Sequence, residues 1–332
     1  MVYYPPMRIV FMGSSAASAT CLRAILREPE LEVVGVVTQP DRPVGRGKVI
    51  TPCPCKAFAV QRGITDVITP ENVNSEEAMA QLRAWRPDVV AVVAFGQFLR
   101  EPLLNLPPFG CVNCHFSLLP KFRGASPVVA TIAAGERVTG VSVIRMGVGM
   151  DDGPILLKSY EPIYSDVTGG ALMDDLAITG GVTLAKALVL MNRRELPPEV
   201  PQSDEDATFA HKLKKTDGLI CWDDPVIVIE RKVRAYCPWP GCYTFLPRRL
   251  RKRGGSGRLQ ILKSEVWNSV SEDRRSSSPG MVIEVTKRGP VVRCHDTALL
   301  LTLVKPEGAG EMDGGSFLRG RPLAPGDMLL NE

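Results

Sequence analysis

Short and nearly continuous runs of apolar residues recur along the first half of the chain. Four of them are rich in β-branched residues, as strands covered on both faces of a sheet are. They lie at Ile9–Met12, Val33–Val37, Val89–Ala94 and Val141–Ile144. Segments with helical apolar spacing lie between or after them, at Ala16–Arg27, Ser75–Trp85, Ser126–Ala134 and Gly170–Met191. Because strands alternate with helices, this half predicts a doubly wound, mostly parallel, Rossmann-like sheet.

The second half of the chain has a different pattern. Its apolar runs are short, and Gly, Ser, Pro and charged residues separate them, as in small β-barrels. The predicted strands are Val226–Val233, Gly241–Leu246, Leu259–Val266, Met281–Val285, Pro290–Cys294 and Ala298–Val304. The basic stretch Arg248–Arg258 is predicted to form a hairpin loop. We therefore expect a smaller, basic, OB-like β-barrel domain with some helix.

The length and the charge distribution both indicate two domains. A chain of 332 residues exceeds the usual domain of about 100–200 residues. Residues 1–207 carry 19 Lys and Arg against 22 Asp and Glu, whereas residues 208–332 carry 21 against 14. The change falls in a Pro-rich acidic stretch typical of a linker. The sequence therefore predicts a first domain at 1–194, a linker at 195–208 and a basic domain at 209–330.

The composition excludes several classes of protein. With 45% hydrophobic and 23% charged residues, the chain is too apolar and too nearly neutral to be disordered. The longest apolar run, Val89–Leu99, is shorter than the roughly 18 residues of a membrane helix, so no membrane association is expected. The N-terminus lacks the pattern of a signal peptide. The nine cysteines, an odd number, are therefore expected to be reduced thiols in the cytoplasm.

Two sequence patterns resemble cofactor sites. Gly13 alone does not make the G-x-G-x-x-G fingerprint of dinucleotide binding, so a plain turn from strand to helix is expected. Cys111–His115 matches the C-x-x-C-H pattern of c-type haem attachment. That chemistry normally follows export, for which the sequence has no signal. A zinc site needs a second ligand pair, and Cys53 and Cys55 lie too close together in sequence. We expect no metal, with haem as an open alternative.

Asn113 and His115 are candidates for a different chemistry. On a strand, residues i and i+2 project from the same face, here near the end where open α/β sheets place their sites. An amide and an imidazole can together stabilise a developing oxyanion. The Gly-rich loop Gly147–Pro154 carries two carboxylates, one of which could orient the imidazole. The alternative is a buried Asn and His that satisfy each other's hydrogen bonds.

Three motifs, in this order, resemble the signature of the folate-dependent formyltransferases. They are Asn113-x-His115-x-Ser117-Leu-Leu-Pro120, Arg123-Gly-Ala-x-Pro127 and Gly149-x-Asp151-x-Gly153. The resemblance implies that Asn113, His115 and Asp151 are catalytic. It also implies that 10-formyltetrahydrofolate is the formyl donor, as a co-substrate, without a metal. The residues implied to line the folate pocket are Ser117, Leu118, Leu119 and Pro120.

Two further features resemble the branch of this family that formylates methionyl initiator tRNA. One is the loop Thr38–Lys48, in which Arg42, Arg46 and Lys48 are implied to hold the tRNA; the other is Val233–Gly241. The resemblance implies a monomeric cytoplasmic enzyme of translation initiation. One alternative is a formyltransferase acting on an amino-sugar nucleotide or another small amine. Another is an RNA-binding protein on a degenerate enzyme scaffold.

The sequence departs from the family pattern at three positions. Phe116 stands where the family usually has a small residue after the catalytic His. Since side chains alternate on a strand, Phe116 is predicted to point away from His115. Asp152 and Pro154 replace the family's usual residues around Asp151, which leaves two adjacent carboxylates. The register of the motif favours Asp151.

Overall fold

A computed structural model describes residues 4–45, 47–251 and 253–330 of the chain. Their internal contacts divide the chain into two compact units. The first unit consists of Met1–Pro127, Val138–Pro162 and Met173–Ala210. The second consists of Val128–Arg137, Ile163–Leu172 and His211–Glu332. The domain limits of 1–194, 195–208 and 209–330 stay a prediction.

Helices and strands alternate over the first 210 residues. The strands are β1 (Met7–Gly13), β2 (Leu31–Val37), β3 (Arg42–Val44), β4 (Val49–Thr51), β5 (Val67–Ile68), β6 (Val89–Val93), β7 (Cys111–His115), β8 (Arg123–Gly124), β9 (Val138–Arg145), β10 (Ile155–Pro162) and β11 (Phe209–Ala210). The helices are α1 (Ala16–Ile25), α2 (Pro54–Gln61), α3 (Glu76–Trp85), α4 (Glu101–Leu104), α5 (Pro127–Ala134) and α6 (Gly169–Asn192).

Seven of these strands form one sheet, in the order β10-β9-β7-β6-β1-β2-β5. The pairings from β7 to β5 are parallel, while β9 is antiparallel to both of its neighbours. The predicted mostly parallel sheet is therefore confirmed. β6 is buried along its whole length, which explains its continuous run of Val and Ala. Ser15 and Ser75 cap α1 and α3 by accepting backbone N–H groups of the first turn.

The second unit contains an antiparallel sheet. Its strands are β12 (Cys242–Phe245), β13 (Arg258–Trp267), β14 (Val282–Thr286), β15 (Gly289–Arg293), β16 (Ala298–Pro306) and β17 (Met312–Asp313), and its further helices are α7 (Val226–Ala235) and α8 (Gly314–Gly320). The strand order is β12-β13-β16-β15-β14, with β17 beside β16. Trp222 and Phe317 lie in its core. The separate antiparallel domain is confirmed, whereas closure into an OB-like barrel stays a prediction.

One predicted strand is wrong, because Val226–Val233 lies in the helix α7. The run of β-branched residues at its start resembles a strand. The buried side chains, however, include Val226, Ile229 and Val233, which follow helical spacing. Asp296 accepts the backbone N–H of Val226 at 2.8 Å and so stabilises the start of the helix. Burial of one apolar stripe therefore outweighs the local strand preference.

Within the described ranges, none of the helices combines the length and the apolar character needed to cross a bilayer. The nine cysteines are free thiols. The compartment of the protein stays a prediction.

Candidate active site

Asn113 and His115 lie on β7, where the parallel part of the sheet meets its antiparallel edge. Asn113 is in register with Val92 of β6 and Ile144 of β9. Cys114 and Phe116 face α6, because a Cβ built on Gly180 would lie 3.0 Å from a side-chain atom of each. The prediction that Phe116 points away from His115 is confirmed. Asn113 and His115 therefore share the other face of the sheet.

The carboxylate of Asp151 joins these two side chains. Asn113 donates through Nδ2 to Asp151 Oδ1 at 3.2 Å, and His115 Nδ1 lies 3.6 Å from Asp151 Oδ2. Asp152 instead folds back over its own loop, where its carboxylate occupies the space that a Cβ on Gly149 would need. The structure thus brings Asn113, His115 and Asp151 together and leaves Asp152 outside this group.

The imidazole of His115 is held at its second nitrogen as well. Nε2 lies 2.9 Å from the carbonyl oxygen of Phe122, and because a carbonyl only accepts, Nε2 must carry the hydrogen. The distance of 3.6 Å between Nδ1 and Asp151 is longer than a hydrogen bond. Only 6% of the His115 side chain is exposed. The ring is therefore fixed in orientation, and Nδ1 faces the carboxylate without being hydrogen-bonded to it.

The segment after β7 supports the site through its backbone. Phe122 and Gly124 both have positive φ, at 62° and 116°. Phe122 donates its N–H to Thr208 Oγ1 at 2.8 Å, and β8 pairs with β11. A Cβ on Gly124 would lie 2.6 Å from the carbonyl oxygen of Ala210. Glycine is therefore required at this position, both for its backbone angle and for its close approach to β11.

Gln202, which the sequence analysis missed, holds the loop that carries Asp151. Asp151 has a φ of 52°, an unfavourable angle for a residue with a Cβ. Gln202 Nε2 donates to the carbonyl oxygens of Asp151 and Gly153, at 2.8 and 2.7 Å. Gln202 lies in the stretch predicted to be a linker, and nothing in the local pattern distinguishes it from its polar neighbours.

The four residues implied to line the folate pocket differ in exposure. Ser117 and Leu119 have no exposed surface, and the Ser117 hydroxyl donates to the carbonyl oxygen of Lys121 at 2.7 Å. Leu119 packs with Ile144 and Ile155. Leu118 and Pro120 are partly exposed. Folate binding by these four residues stays a prediction, and Leu118 and Pro120 have the surface for it.

Arg42 and Lys48, two of the residues implied to hold tRNA, lie in a small exposed hairpin formed by β3 and β4. The Arg42 side chain is 62% exposed and forms an ion pair with Glu71 at 2.6 Å. Lys48 is exposed in the turn, with a φ of 48°. Arg46 lies outside the described residues. The hairpin thus presents Arg42 and Lys48 to solvent, and their contact with RNA stays a prediction.

The haem and zinc alternatives find no support in the geometry. Cys111 and Cys114 are buried within β7. Burial raises the pKa of the Cys111 thiol to about 12, which disfavours the thiolate that ligation needs. Among the described residues, no group of three or more His, Cys, Asp or Glu side chains is arranged to hold a metal ion.

Two solved structures resemble this fold. HypX from Aquifex aeolicus, in complex with tetrahydrofolic acid, matches with a TM-score of 0.59 at 16% identity, over 97% of this chain. The chain spans only 50% of HypX. WlaRD, a sugar 3N-formyl transferase solved in the presence of dTDP and 5-N-formyl-THF, matches with a TM-score of 0.62 at 17% identity. That match covers 92% of this chain and 99% of WlaRD. At such low identity these likenesses show the fold alone.

Comparison of the sequence with known families identifies the family, which the structural likenesses do not. The family model described as formyl transferase matches residues 7–188, and that of the formyl transferase C-terminal domain matches residues 212–322. The chain is 40% identical over 322 residues to the methionyl-tRNA formyltransferase of Magnetococcus marinus. The match covers 97% of this chain and 98% of that protein. The chain therefore belongs to the formyltransferase family and, within it, to the methionyl-tRNA formyltransferases.

Proposed function

We propose that this protein transfers the formyl group of 10-formyltetrahydrofolate to the α-amino group of methionyl initiator tRNA, with Asn113, His115 and Asp151 as its catalytic residues. The product is N-formylmethionyl-tRNA, which serves translation initiation. The observation that carries the proposal is the meeting of an amide, an imidazole and a carboxylate at one end of β7. An amino-sugar nucleotide or other small amine as acceptor is not favoured, because relatives matched over nearly their full length are methionyl-tRNA formyltransferases.

The reaction exchanges one C–N bond for another. The folate supplies a formyl carbon bonded to N10; the amine nitrogen bonds to that carbon, the bond to N10 breaks, and one proton passes from the amine to N10. Negative charge develops on the formyl oxygen on the way. Enzymes stabilise such charge with hydrogen-bond donors that are already in place.

Asn113 provides one such donor. An amide nitrogen carries two N–H groups, and Asp151 accepts one of those of Asn113. This contact turns the amide so that its other N–H can donate to the formyl oxygen. Asn113 is partly exposed, so a substrate can reach it.

His115 and Asp151 complete the arrangement. Since Nε2 is engaged with Phe122, a protonated ring would direct Nδ1–H into the space beside Asp151, where the formyl oxygen can accept it. Asp151 orients Asn113 by accepting its N–H and lies 3.6 Å from Nδ1 of His115, and its side chain keeps 17% exposure. Its carboxylate can therefore take the proton from the attacking amine and pass it, directly or through a water molecule, towards N10.

The two substrates are assigned to different sets of residues. The partly exposed Leu118 and Pro120, together with the buried Ser117 and Leu119, form the folate side in this proposal. Arg42, Lys48 and the undescribed Arg46 hold tRNA phosphates, since phosphate neutralisation dominates affinity for nucleic acids. A monomeric state and a cytoplasmic location belong to the same proposal.

The test compares acceptors. The purified protein is given 10-formyltetrahydrofolate with methionyl initiator tRNA, with glycinamide ribonucleotide or with an amino-sugar nucleotide, and formylated product is quantified. We expect product with the tRNA and at least about 100-fold lower kcat/KM with either small amine. Formylation of a small amine at the higher rate, or no formylation of the tRNA, contradicts the proposed acceptor.

A further inference from the structure

The stretch 199–210 contacts both the loop that carries Asp151 and the segment that follows β7. It lies within the first compact unit. Its contacts are Glu199 with Arg145, Val200 with Ile155, Gln202 with Asp151 and Gly153, Asp204 with Arg123, and Thr208 with Phe122. A segment that only joined two domains would not need specific contacts to residues around one carboxylate.

Gln202 makes the most specific of these contacts. Its Nε2 donates to the carbonyl oxygens of Asp151 and Gly153, and its Oε1 accepts from Arg123 Nε at 3.2 Å. Both carbonyls can only accept, and a guanidinium can only donate. The three partners therefore fix which end of the carboxamide is nitrogen, and both of its N–H groups are used.

The two carbonyls belong to a backbone that needs support. With its φ of 52°, Asp151 is in the left-handed region, and such angles persist at functional sites only where the surroundings impose them. Gln202 binds the main-chain oxygen of this residue, while the N–H of Gly124 binds its side-chain Oδ2 at 2.8 Å. The carboxylate is thus held from both its backbone and its side chain.

Arg123 links these two supports. Its side chain is 5% exposed, and its Nη1 donates to Asp204 Oδ1 at 2.8 Å. Arg123 directly precedes Gly124, the residue whose N–H binds Asp151. The Gln202 carboxamide therefore bridges the loop that carries Asp151 and the segment that donates to it.

We infer that Gln202 is a positioning residue for formyl transfer, because it holds the backbone from which Asp151 faces Asn113 and His115. The inference rests on the proposed function of this site. Because the Gln202 carboxamide is fully used by contacts within the protein, we expect it to act through Asp151, so its loss should lower kcat and leave the KM of both substrates unchanged. A displacement of about 1 Å in a catalytic group can cost about 100-fold in rate.

The first experiment uses an isosteric variant. Gln202→Glu keeps the shape of the side chain but presents an oxygen to the two carbonyls in place of the N–H groups; Gln202→Met keeps the length without any polar group. Asn192→Asp is the matched control, since Asn192 Nδ2 donates to the carbonyl oxygen of Pro5, which precedes β1. We expect kcat to fall by about 10- to 100-fold in both Gln202 variants and to stay within twofold in the control. A change in KM alone, or an unchanged kcat in both Gln202 variants, overturns the inference.

The second experiment separates positioning from a general loss of structure. If Gln202 acts only through Asp151, Gln202→Glu should change the residual rate by less than about twofold when Asp151 is already Ala. A loss as large as that in the wild-type background shows a structural role and overturns the inference. The wild-type and Asn192→Asp proteins test the proposed function separately. If neither formylates methionyl initiator tRNA, that function fails, whereas normal activity in them and in Gln202→Glu contradicts only the role of Gln202.

Discussion

The backbone N–H of Gly124 donates to Asp151 Oδ2 at 2.8 Å, so the segment after β7 and the loop after β9 meet at one carboxylate. The two residues are 27 positions apart in sequence. A backbone donor cannot be removed by a side-chain substitution, but it can be displaced. A substitution at Gly124 therefore tests whether activity depends on the position of this backbone donor.

Gly124→Ala is expected to destabilise the protein and to lower its activity. The new Cβ would lie 2.6 Å from the carbonyl oxygen of Ala210 at a φ of 116°, so the strand pair formed by β8 and β11 must shift. Backbone strain of this kind costs about 1–3 kcal/mol. The free energy of unfolding in urea and kcat measure the two effects.

Gly63→Ala is the matched control for this substitution. Gly63 also has a positive φ, 79°, but a Cβ there would have no neighbour within 4 Å. Gly63→Ala should lower the free energy of unfolding only by the cost of a left-handed backbone angle at a residue with a Cβ, about 1 kcal/mol. We expect kcat to be unchanged. Equal losses of stability and activity in both variants would show that the contact with Ala210 has no role.

Phe116→Ala should affect stability and leave the chemistry intact. Phe116 is buried against α6, on the face of the sheet opposite His115. Truncation of a buried Phe costs about 3–5 kcal/mol, while Asn113 and His115 keep their positions. The melting temperature and kcat, the latter measured well below the transition, distinguish these effects. A large loss of kcat in a protein that is still folded contradicts the assigned orientation of Phe116.

Arg42→Ala should weaken the use of tRNA and not that of folate. Arg42 is exposed and paired with Glu71 at 2.6 Å, and we expect a phosphate to replace this partner. Arg83→Ala is the matched control, because Arg83 is an exposed arginine paired with Glu76 at 2.9 Å. We expect kcat/KM for charged tRNA to fall about 10-fold in Arg42→Ala only. Similar values in the two variants would remove the support for tRNA binding by the hairpin.

The cysteines should differ sharply in reactivity with a thiol reagent at pH 8. Burial raises the pKa of Cys55, Cys111, Cys242 and Cys294 to about 12, so almost none of these thiols ionises at that pH. Cys221 is exposed. The fastest labelling phase should therefore vanish in Cys221→Ser, the half-buried Cys53 and Cys237 should react more slowly, and the four buried thiols should react only when urea unfolds the protein. Fast labelling of the four buried thiols in the folded protein contradicts the predicted packing.

Much of this site could be predicted because it is encoded locally. The two-residue spacing of Asn113 and His115 on a strand places both side chains on one face, and the motif register identified Asp151. Gln202 could not be found in this way, since its partners lie 51, 49 and 79 residues away. Its role depends on tertiary contacts, which the hydrophobic pattern of the sequence does not indicate.

The helix α7 shows the opposite case, in which a local pattern misled. Four β-branched residues at its start favoured a strand. The helix is stabilised instead by its buried apolar side and by the hydrogen bond from the backbone N–H of Val226 to Asp296. The sequence patterns missed β10, an antiparallel edge strand whose exposure alternates only from Ser159 to Pro162, because polar residues follow its short apolar start.

The central claim is that Asn113 and His115 stabilise the transition state of formyl transfer. The most direct measurement is the single-turnover rate of formylation of methionyl initiator tRNA by Asn113→Ala and His115→Ala, with both substrates saturating and His295→Ala as a control. His295 is exposed and belongs to the second unit. We predict rates at least about 100-fold below wild type in the first two variants, with tRNA affinity retained. A rate within threefold of wild type in either variant contradicts this claim.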